Sequence, residues 1–225
     1  MLEIIYQDEY YVAINKPNGL LVHRTKIAEE KVFFALQMLR DQIGEKVWPV
    51  HRLDRKTSGV LVFALSSEAT KLLAKQFTER TTEKEYWAIV RGFAPESGII
   101  EKPLKSERGN MQISETHFET HQNFTLPIPM GKYPTCRYSL VEIHPKTGRM
   151  HQIRRHFNHI NHPIIGDYKH GDYRHNQLFI NEFDAKEMFL HASKLSFHHP
   201  YLDKKITIEA DFQMPFLKMK ERFGW

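Results

Sequence analysis

Hydrophobic and polar residues alternate in two short segments at the start of the chain. Residues 2–6 and 10–14 have the pattern of β-strands, and the turn-forming residues 7–9 separate them. Residues 16–19, Lys-Pro-Asn-Gly, follow with strong turn chemistry. The pattern predicts a β-hairpin that leads into a loop.

Two later segments place apolar residues at helical spacing. From Lys31 these residues are Val32, Leu36, Leu39 and Ile43, with Gly44 following as a C-cap. After the candidate N-caps Ser66 and Ser67 they are Ala69, Leu72, Leu73 and Phe77. Each segment predicts an amphipathic helix with one face in the core.

Strands predominate in the rest of the pattern. The nearly continuous apolar run 60–65 predicts a strand buried on both faces. Further strands are predicted at 84–90, 117–124 and 136–143, and a short basic helix at 149–158.

The least regular stretch is 103–135, where proline and glycine recur, and it is predicted to be an irregular insertion. No Gly-, Ser- or Pro-rich linker divides the chain. We therefore predict one α+β domain over residues 1–225, with two sheet halves meeting at a cleft.

Composition narrows the class of protein. The 225 residues are 41% hydrophobic, which suits a well-buried core, and the net charge of +5 favours polyanionic partners. A single cysteine, Cys136, excludes an internal disulfide. The first residues are acidic where a signal peptide is basic, and no apolar run reaches membrane-spanning length. We expect a soluble protein of a reducing cytoplasm.

The segment 51–59 concentrates ionisable side chains directly before the predicted buried strand. Asp54 stands among Arg52, Arg55 and Lys56, whose positive field should keep its carboxylate ionised and therefore nucleophilic or basic. The alternative is a solvated turn of mixed charge, since exposed ion pairs are common and weak.

A second basic segment covers residues 146–156. On a helix, Arg154 lies one turn beyond Met150 and His151, and its guanidinium could neutralise a phosphate or hold a carboxylate through two hydrogen bonds. On the same helix Met150, Ile153 and Phe157 could face the core. The alternative for the segment is an ordinary exposed basic helix.

Tyr86 shares a strand face with Ala88 and Val90, which is typical of a core tyrosine. It could instead stack on an unpaired base or position a phenol for proton transfer. His156 and the two histidines that follow at every third residue raise the possibility of a metal site, but the residues 161–163, Asn-His-Pro, should end the helix before the third can join. No metal and no nucleotide cofactor is predicted.

Taken together, these segments resemble the RluA-type pseudouridine synthases along almost the whole chain. The matching blocks, in order, are Lys16-Pro17 with Gly19, then 51–59, 84–92, 148–154, 166–167 and 190–192. The block around Asp54 is highly specific. Met150 departs from the pattern, because many relatives have a small hydroxylated residue there.

The resemblance implies the pseudouridine synthase fold, a mixed and largely antiparallel sheet with flanking helices, split by a basic cleft into which a uridine is flipped. Its implied catalytic set is Asp54 as the essential carboxylate, Tyr86 stacking near the base and Arg154 pairing with Asp54. The implied substrate-binding residues are Arg52, which takes the place of the extruded base, Leu190, which packs on the pyrimidine, and His51, Arg149 and Lys16.

Details shared beyond the core blocks, at 21–24, 166–172 and 223–225, point to members that act on uridine 65 of tRNA. The expected partner is tRNA, with no protein partner, no cofactor and a monomeric state. The alternatives are a synthase for ribosomal RNA, a silent RNA-binding protein that has lost the chemistry, and a metal-dependent nuclease.

Overall fold

The structure is a computed structural model that describes residues 1–22 and 34–225. In chain order its elements are β1 (Ile4–Gln7), β2 (Tyr11–Lys16), α1 (Ala35–Ile43), β3 (Trp48–Pro49), β4 (Ser58–Ala64), α2 (Ser67–Glu79), β5 (Glu83–Arg91), β6 (Ser97–Ile100), β7 (Leu104–Lys105), β8 (Met111–Gln112), β9 (Thr116–Leu126), β10 (Cys136–Pro145), α3 (Gln152–His159), α4 (Tyr173–Phe183), β11 (Leu190–His199), β12 (Lys204–Glu209) and α5 (Met214–Phe223). These elements confirm the predicted α+β class.

The chain divides into two compact units, each made of two separate segments. Unit 1 comprises Met1–Lys84 and Ala192–Gln213, and unit 2 comprises Glu85–His191 and Met214–Trp225. In each unit, the second segment is distant in sequence from the first. Each unit is therefore discontinuous in sequence.

The sheet of unit 1 has the strand order β1-β2-β4-β11, with β12 paired to β11 and β3 to β4. β1 and β2 are antiparallel with Ile4 opposite Ile14, which confirms the predicted hairpin. β2 is antiparallel to β4, and Lys16 at the end of β2 lies opposite Gly59 at the start of β4. The loop that leaves β2 and the loop that enters β4 therefore lie at the same end of these two strands.

Strand β4 is buried along its whole length, as the apolar run predicts. Helix α2 covers the unit 1 core with Ala69 and Leu73, and the Ser66 hydroxyl accepts a hydrogen bond from the Ala69 N–H at 3.0 Å, which confirms the N-cap. Leu72, predicted for the same face, is 37% exposed because it is rotated away from Leu73 around the helix.

Helix α1 begins later than the sequence pattern suggests. It runs over Ala35–Ile43 and ends at Gly44, whose left-handed backbone (φ 73°) places its N–H on the Arg40 carbonyl. This confirms the predicted C-cap. Lys31 and Val32, like His23 and Arg24 of the 21–24 block, lie outside the described residues.

The sheet of unit 2 has the order β5-β10-β9-β6, and each of these pairs is antiparallel. The three strands predicted at 84–90, 117–124 and 136–143 are confirmed as β5, β9 and β10. Ala88, Val90 and Val141 form a core cluster with Phe157 of α3.

The stretch 103–135 contains two kinds of structure. Its first part is the short antiparallel hairpin β7–β8, with Lys105 opposite Met111. Its second part includes β9, which pairs with β10 from Thr116 to Leu126. The hairpin is followed closely in sequence by this regular strand of the sheet.

Four elements of the second half, α4, α5, β11 and β12, were not predicted. Helix α4 starts after Asp172, whose carboxylate accepts hydrogen bonds from the N–H groups of Arg174 and His175. Within residues 1–22 and 34–225, no helix combines the length and apolar character that crossing a membrane requires.

Candidate active site

Asp54 lies in the loop that joins β3 to β4, at the end of unit 1 where β2 also ends. The loop is anchored by the buried side chain of Leu53, and the Thr57 N–H donates to the Asp54 carbonyl at 3.0 Å to form a tight turn. Asp54 itself is half-buried and Arg52 is exposed. The geometry holds the acid on a fixed backbone while leaving an arginine of the same loop in solvent.

The loop after β2 is hydrogen-bonded to the Asp54 loop. The Gly19 N–H donates to the Arg55 carbonyl at 2.9 Å, and the Arg55 Nε donates back to the Gly19 carbonyl at 2.9 Å. The Asn18 amide also donates to the carbonyl of Lys56. These reciprocal bonds explain why the Lys-Pro-Asn-Gly turn accompanies the Asp54 segment.

The side chain of Lys16 forms hydrogen bonds with both of these loops. Its side chain is fully buried, and its ammonium donates to the carbonyls of Pro17 and Leu20 at 2.9 Å and of Arg55 at 3.0 Å. Burial lowers the pKa of Lys16 to about 7, although the negative charge of Asp54 opposes this shift. Three donors meet three acceptors, so Lys16 acts here on the backbone of the loops.

The His51 side chain fixes the Asp54 loop to β4 and α2. Its Nε2 accepts a hydrogen bond from the Val62 N–H of β4 at 3.1 Å, and its ring stacks on Phe77 of α2 at 4.8 Å. Burial, with a smaller effect of Lys84, lowers the pKa of His51 to about 3. The imidazole is therefore neutral at physiological pH, with its proton assigned to Nδ1 by this hydrogen bond.

In unit 2, Tyr86 and Leu190 contact the same apolar cluster. Tyr86 is half-buried on β5 opposite Ile143 of β10, and it packs on the cluster that contains Ala88 and Val90, as the strand pattern predicts. Leu190 is 3% exposed in that cluster. An aromatic ring and an aliphatic side chain thus share one apolar surface, an arrangement that suits a planar base.

Arg154 is buried on α3, where the sequence left open an exposed basic helix. Its Nε donates to Asp167 Oδ2 at 2.7 Å and its Nη2 to Asp167 Oδ1 at 2.8 Å. The side chains of Arg154 and Asp167 are 8% and 1% exposed. This two-point contact fixes the plane of the guanidinium, as lysine could not.

Asp167 is the partner of Arg154 that sequence reasoning missed, although it belongs to a matching block. Its Oδ1 also accepts from the N–H groups of Lys169 and His170, so its carboxylate is held by backbone as well as by Arg154. Gly166, at φ 80°, allows the turn, since a Cβ there would lie 2.0 Å from the Glu187 carbonyl oxygen. A Gly-Asp pair followed by turn residues was the available signal.

Arg149 precedes α3, which begins at Gln152 rather than at Arg149. The reason is His151, whose left-handed backbone (φ 52°) interrupts helical geometry. Arg149 is half-buried and its Nε donates to the Ile113 carbonyl at 3.1 Å. Met150, grouped in the sequence with the core residues, is 36% exposed because it precedes the helix.

The three regularly spaced histidines separate, as predicted. His156 is fully buried and hydrogen-bonded to Ser114 Oγ, whereas His162 lies beyond the end of α3 with its Nδ1 on the Arg91 carbonyl. Among residues 1–22 and 34–225, no group of three or more acidic, histidine or cysteine side chains is arranged to hold a metal ion.

The predicted site residues thus fall into two groups. Unit 1 carries Lys16 at the end of β2 and His51, Arg52 and Asp54 on the loop between β3 and β4. Unit 2 carries the other four predicted residues. Tyr86 and Leu190 contact one apolar cluster, and Arg149 and Arg154 lie on either side of the start of α3. Chemically, unit 1 supplies a carboxylate, and unit 2 supplies an aromatic and aliphatic surface and an oriented guanidinium.

Known proteins are similar in sequence to this chain along its whole length. The family model described as RNA pseudouridylate synthase matches residues 10–159. The chain is 47% identical to the tRNA pseudouridine synthase C of Vibrio parahaemolyticus, over 100% of this chain and 96% of that protein. It is 44% identical to the tRNA pseudouridine synthase C of Yersinia pestis, over 100% of this chain and 92% of that protein.

Two solved structures have the same fold. Human RNA Pseudouridylate Synthase Domain Containing 4 is similar with a TM-score of 0.73 at 26% identity, covering 99% of this chain and 93% of that one. Human RNA Pseudouridylate Synthase Domain Containing 1 also has a TM-score of 0.73, at 24% identity, covering 97% of this chain and 86% of that one.

Proposed function

Because the chain belongs to the RNA pseudouridylate synthase family, as an RluA-type member, we propose that it isomerises uridine 65 of tRNA to pseudouridine. The observation that carries the proposal is the similarity to tRNA pseudouridine synthase C over the full length of the chain, at 47% identity. We propose that the enzyme acts as a monomer, without a protein partner, in the cytoplasm where tRNA is found.

Asp54 is the proposed catalytic carboxylate. Isomerisation breaks the bond from N1 to C1′ of the uridine and forms a bond from C5 to C1′, with no redox change and no added group. Neither a metal nor an organic cofactor is needed to balance it. Asp54 could attack C6, attack C1′, or assist loss of the C2′ proton on a glycal route. Its turn and its half-buried position support each of these roles.

The nucleotide must leave its stack before C1′ can be reached, and extrusion costs a few kcal/mol. Arg52 is exposed beside Asp54, which suits a side chain that fills the vacated position. Tyr86 and Leu190 are the proposed surface for the flipped base, because they share an apolar cluster. Tyr86 is also the candidate proton-transfer partner on the glycal route.

Arg154 is the proposed partner of Asp54. A guanidinium carries five N–H donors, of which Asp167 takes two, so one arginine can serve two carboxylates. Arg149 is proposed to contact RNA directly. Lys16 and His51 are proposed to support substrate binding through the loops that they hold.

The test is pseudouridine mapping of tRNA and total RNA after incubation with the purified protein and with Asp54→Asn. We expect modification of uridine 65 by the wild type and none by the variant, which keeps its shape and its RNA affinity while losing the carboxylate charge. Asp41→Asn is the matched control, because Asp41 is 66% exposed on α1 and pairs with its neighbour Arg40.

Each competing function gives a different result. Pseudouridine only in ribosomal RNA would replace the proposed substrate, and RNA binding without any pseudouridine would indicate a silent RNA-binding protein. Cleaved RNA that a chelator protects would indicate the metal-dependent nuclease. Pseudouridine formation by Asp54→Asn would refute the role of Asp54.

A further inference from the structure

Unit 2 contains a pocket of about 380 Å³ between helix α3 and the β7–β8 hairpin. Three basic side chains line it, Lys102, Lys105 and Arg155. Asn158 and His159 of α3 add polar groups. No acidic side chain is among the described residues that line the pocket, and none of the predicted site residues is among them either.

Helix α3 presents different residues to three surroundings. Ile153 and Phe157 pack into the unit 2 core, and Arg154 turns to Asp167. Arg155 and the two residues three and four positions later, Asn158 and His159, line the pocket together, as positions i, i+3 and i+4 share a helix face. The helix that carries the proposed catalytic arginine therefore also forms one wall of this basic pocket, which His170 lines as well.

The opposite wall is fixed by side chains that donate hydrogen bonds to its backbone carbonyls. Arg155 Nη1 donates to the Lys105 carbonyl at 3.0 Å and so joins α3 to β7. The Lys102 carbonyl accepts from Ser114 Oγ at 2.6 Å and from Nε2 of the fully buried His156 at 3.0 Å. The lysine side chains thus extend from a rigid backbone, and their replacement leaves these bonds in place.

The chemistry of the pocket suits a phosphodiester. Lysine ammonium and arginine guanidinium groups are the usual protein partners of phosphate oxygens, and a volume near 380 Å³ lies in the range of pockets that hold small ligands. The pocket is also lined by the apolar residues Pro103, Leu104 and Met111. These side chains offer an apolar surface to a ribose attached to the phosphate. A polyanion would find three basic side chains, and no acidic side chain is among the described residues that line the pocket.

We propose that this pocket binds a backbone phosphate of the RNA substrate, at a nucleotide other than the uridine that is isomerised. The inference rests on the proposed function, since it takes RNA as the ligand. The pocket would then contribute affinity and register on the RNA, because phosphate contacts position a nucleic acid without reading its bases. It would take no part in the bond rearrangement.

The test compares the wild type with Lys102→Gln/Lys105→Gln in two assays, binding of a tRNA transcript over a range of salt concentrations and pseudouridine formation at saturating tRNA. Loss of the phosphate contact should make the slope of log K against log salt shallower by about 0.7–0.9, the range from single strands to duplex DNA. For curves that converge near about 1 M salt, affinity at about 0.1 M salt should then fall about 5- to 8-fold. The rate at saturating tRNA should be unchanged.

Lys218→Gln/Lys220→Gln is the matched control, because it removes the same charge from exposed positions on α5 of the same unit. We expect its salt slope to stay close to that of the wild type. Equal losses in the two double variants would overturn the proposal. So would a titration in which inorganic phosphate binds the wild type and not the pocket variant while tRNA affinity stays equal, since the site would then serve a free anion.

Failure of the proposed function is distinguishable. A wild type that binds tRNA with a pocket-dependent salt slope but forms no pseudouridine would refute the isomerase activity and support the pocket. A wild type that forms pseudouridine with no difference between the variants would support the activity and refute the pocket.

Discussion

Replacement of Asp167 by asparagine tests whether the buried ion pair orients Arg154. The carboxylate of Asp167 accepts four hydrogen bonds, two from Arg154 at 2.7 and 2.8 Å and two from the N–H groups of Lys169 and His170 at 2.9 and 3.1 Å. Asparagine has one acceptor oxygen in place of two. If that oxygen keeps its three donors, the new NH₂ faces Arg154 Nε, donor against donor.

The expected loss of stability is large because both side chains are buried. Breaking one partner of a buried ion pair leaves an uncompensated charge, and such changes cost about 3–5 kcal/mol. We expect the free energy of unfolding of Asp167→Asn, measured by urea denaturation at pH 7, to fall by about that amount. Glu79→Gln is the control: it breaks the exposed Lys75–Glu79 pair on α2 and should change stability by less than about 0.5 kcal/mol.

The pH dependence gives a second check. Burial alone would raise the pKa of Asp167, but the hydrogen bonds and charge of Arg154, with the two backbone N–H groups, outweigh burial and lower it below the ordinary value of 3.8. A lowered folded-state pKa contributes stability above the unfolded value, and that contribution is lost as the pH falls through the folded value. The difference between wild type and variant should therefore be constant from pH 7 down to about pH 5 and shrink below about pH 4.

The reasoning would be refuted if Asp167→Asn unfolded within about 1 kcal/mol of the wild type at pH 7. Pseudouridine formation by the variant at saturating tRNA, under conditions where it is folded, should also be slower, because Arg154 loses its fixed plane. An unchanged rate would mean that Asp167 supports the fold alone.

Two further changes test Lys16 and Gly59, which lie opposite each other on β2 and β4 of unit 1. Lys16→Met removes the donor of three buried carbonyls and should cost about 3 kcal/mol or more. Because burial lowers the pKa of Lys16 to about 7, below its ordinary value of 10.5, the stability of the wild type relative to Lys16→Met should rise between about pH 7 and pH 10 in urea titrations; a constant difference would contradict the shift. Gly59→Ala would place a Cβ 2.1 Å from the Ala192 carbonyl oxygen and should lower the free energy of unfolding by about 3 kcal/mol or more. Gly131→Ala, also at positive φ but with nothing within 4 Å, should lower it by about 1–2 kcal/mol; equal losses would exclude the close approach as the cause.

Features that depend on neighbouring residues in the sequence were predictable. The buried strand β4, the Ser66 N-cap and the Gly44 C-cap follow from local pattern and backbone preference, and the structure confirms all three. The Asp54 loop was located in the same way, as a charged segment before a buried strand.

Features that depend on distant residues were not predictable. The sequence left open an exposed basic face for the helix of Arg154, and the structure buries this arginine because Asp167 returns to it after the end of α3. Lys16 reaches three carbonyls in two loops only because β2 and β4 are paired with Lys16 opposite Gly59. Such tertiary pairings leave no signal in the spacing of residues along the chain.

The different faces of helix α3 can change independently of one another during evolution. Its eight residues include core positions, an arginine held by Asp167, and a separate face formed by Arg155, Asn158 and His159. Substitutions on that face can alter how RNA is held without disturbing either the core or the guanidinium. Among relatives that share the chemistry but differ in RNA target, we therefore expect divergence to concentrate on this side of the helix and on the facing hairpin.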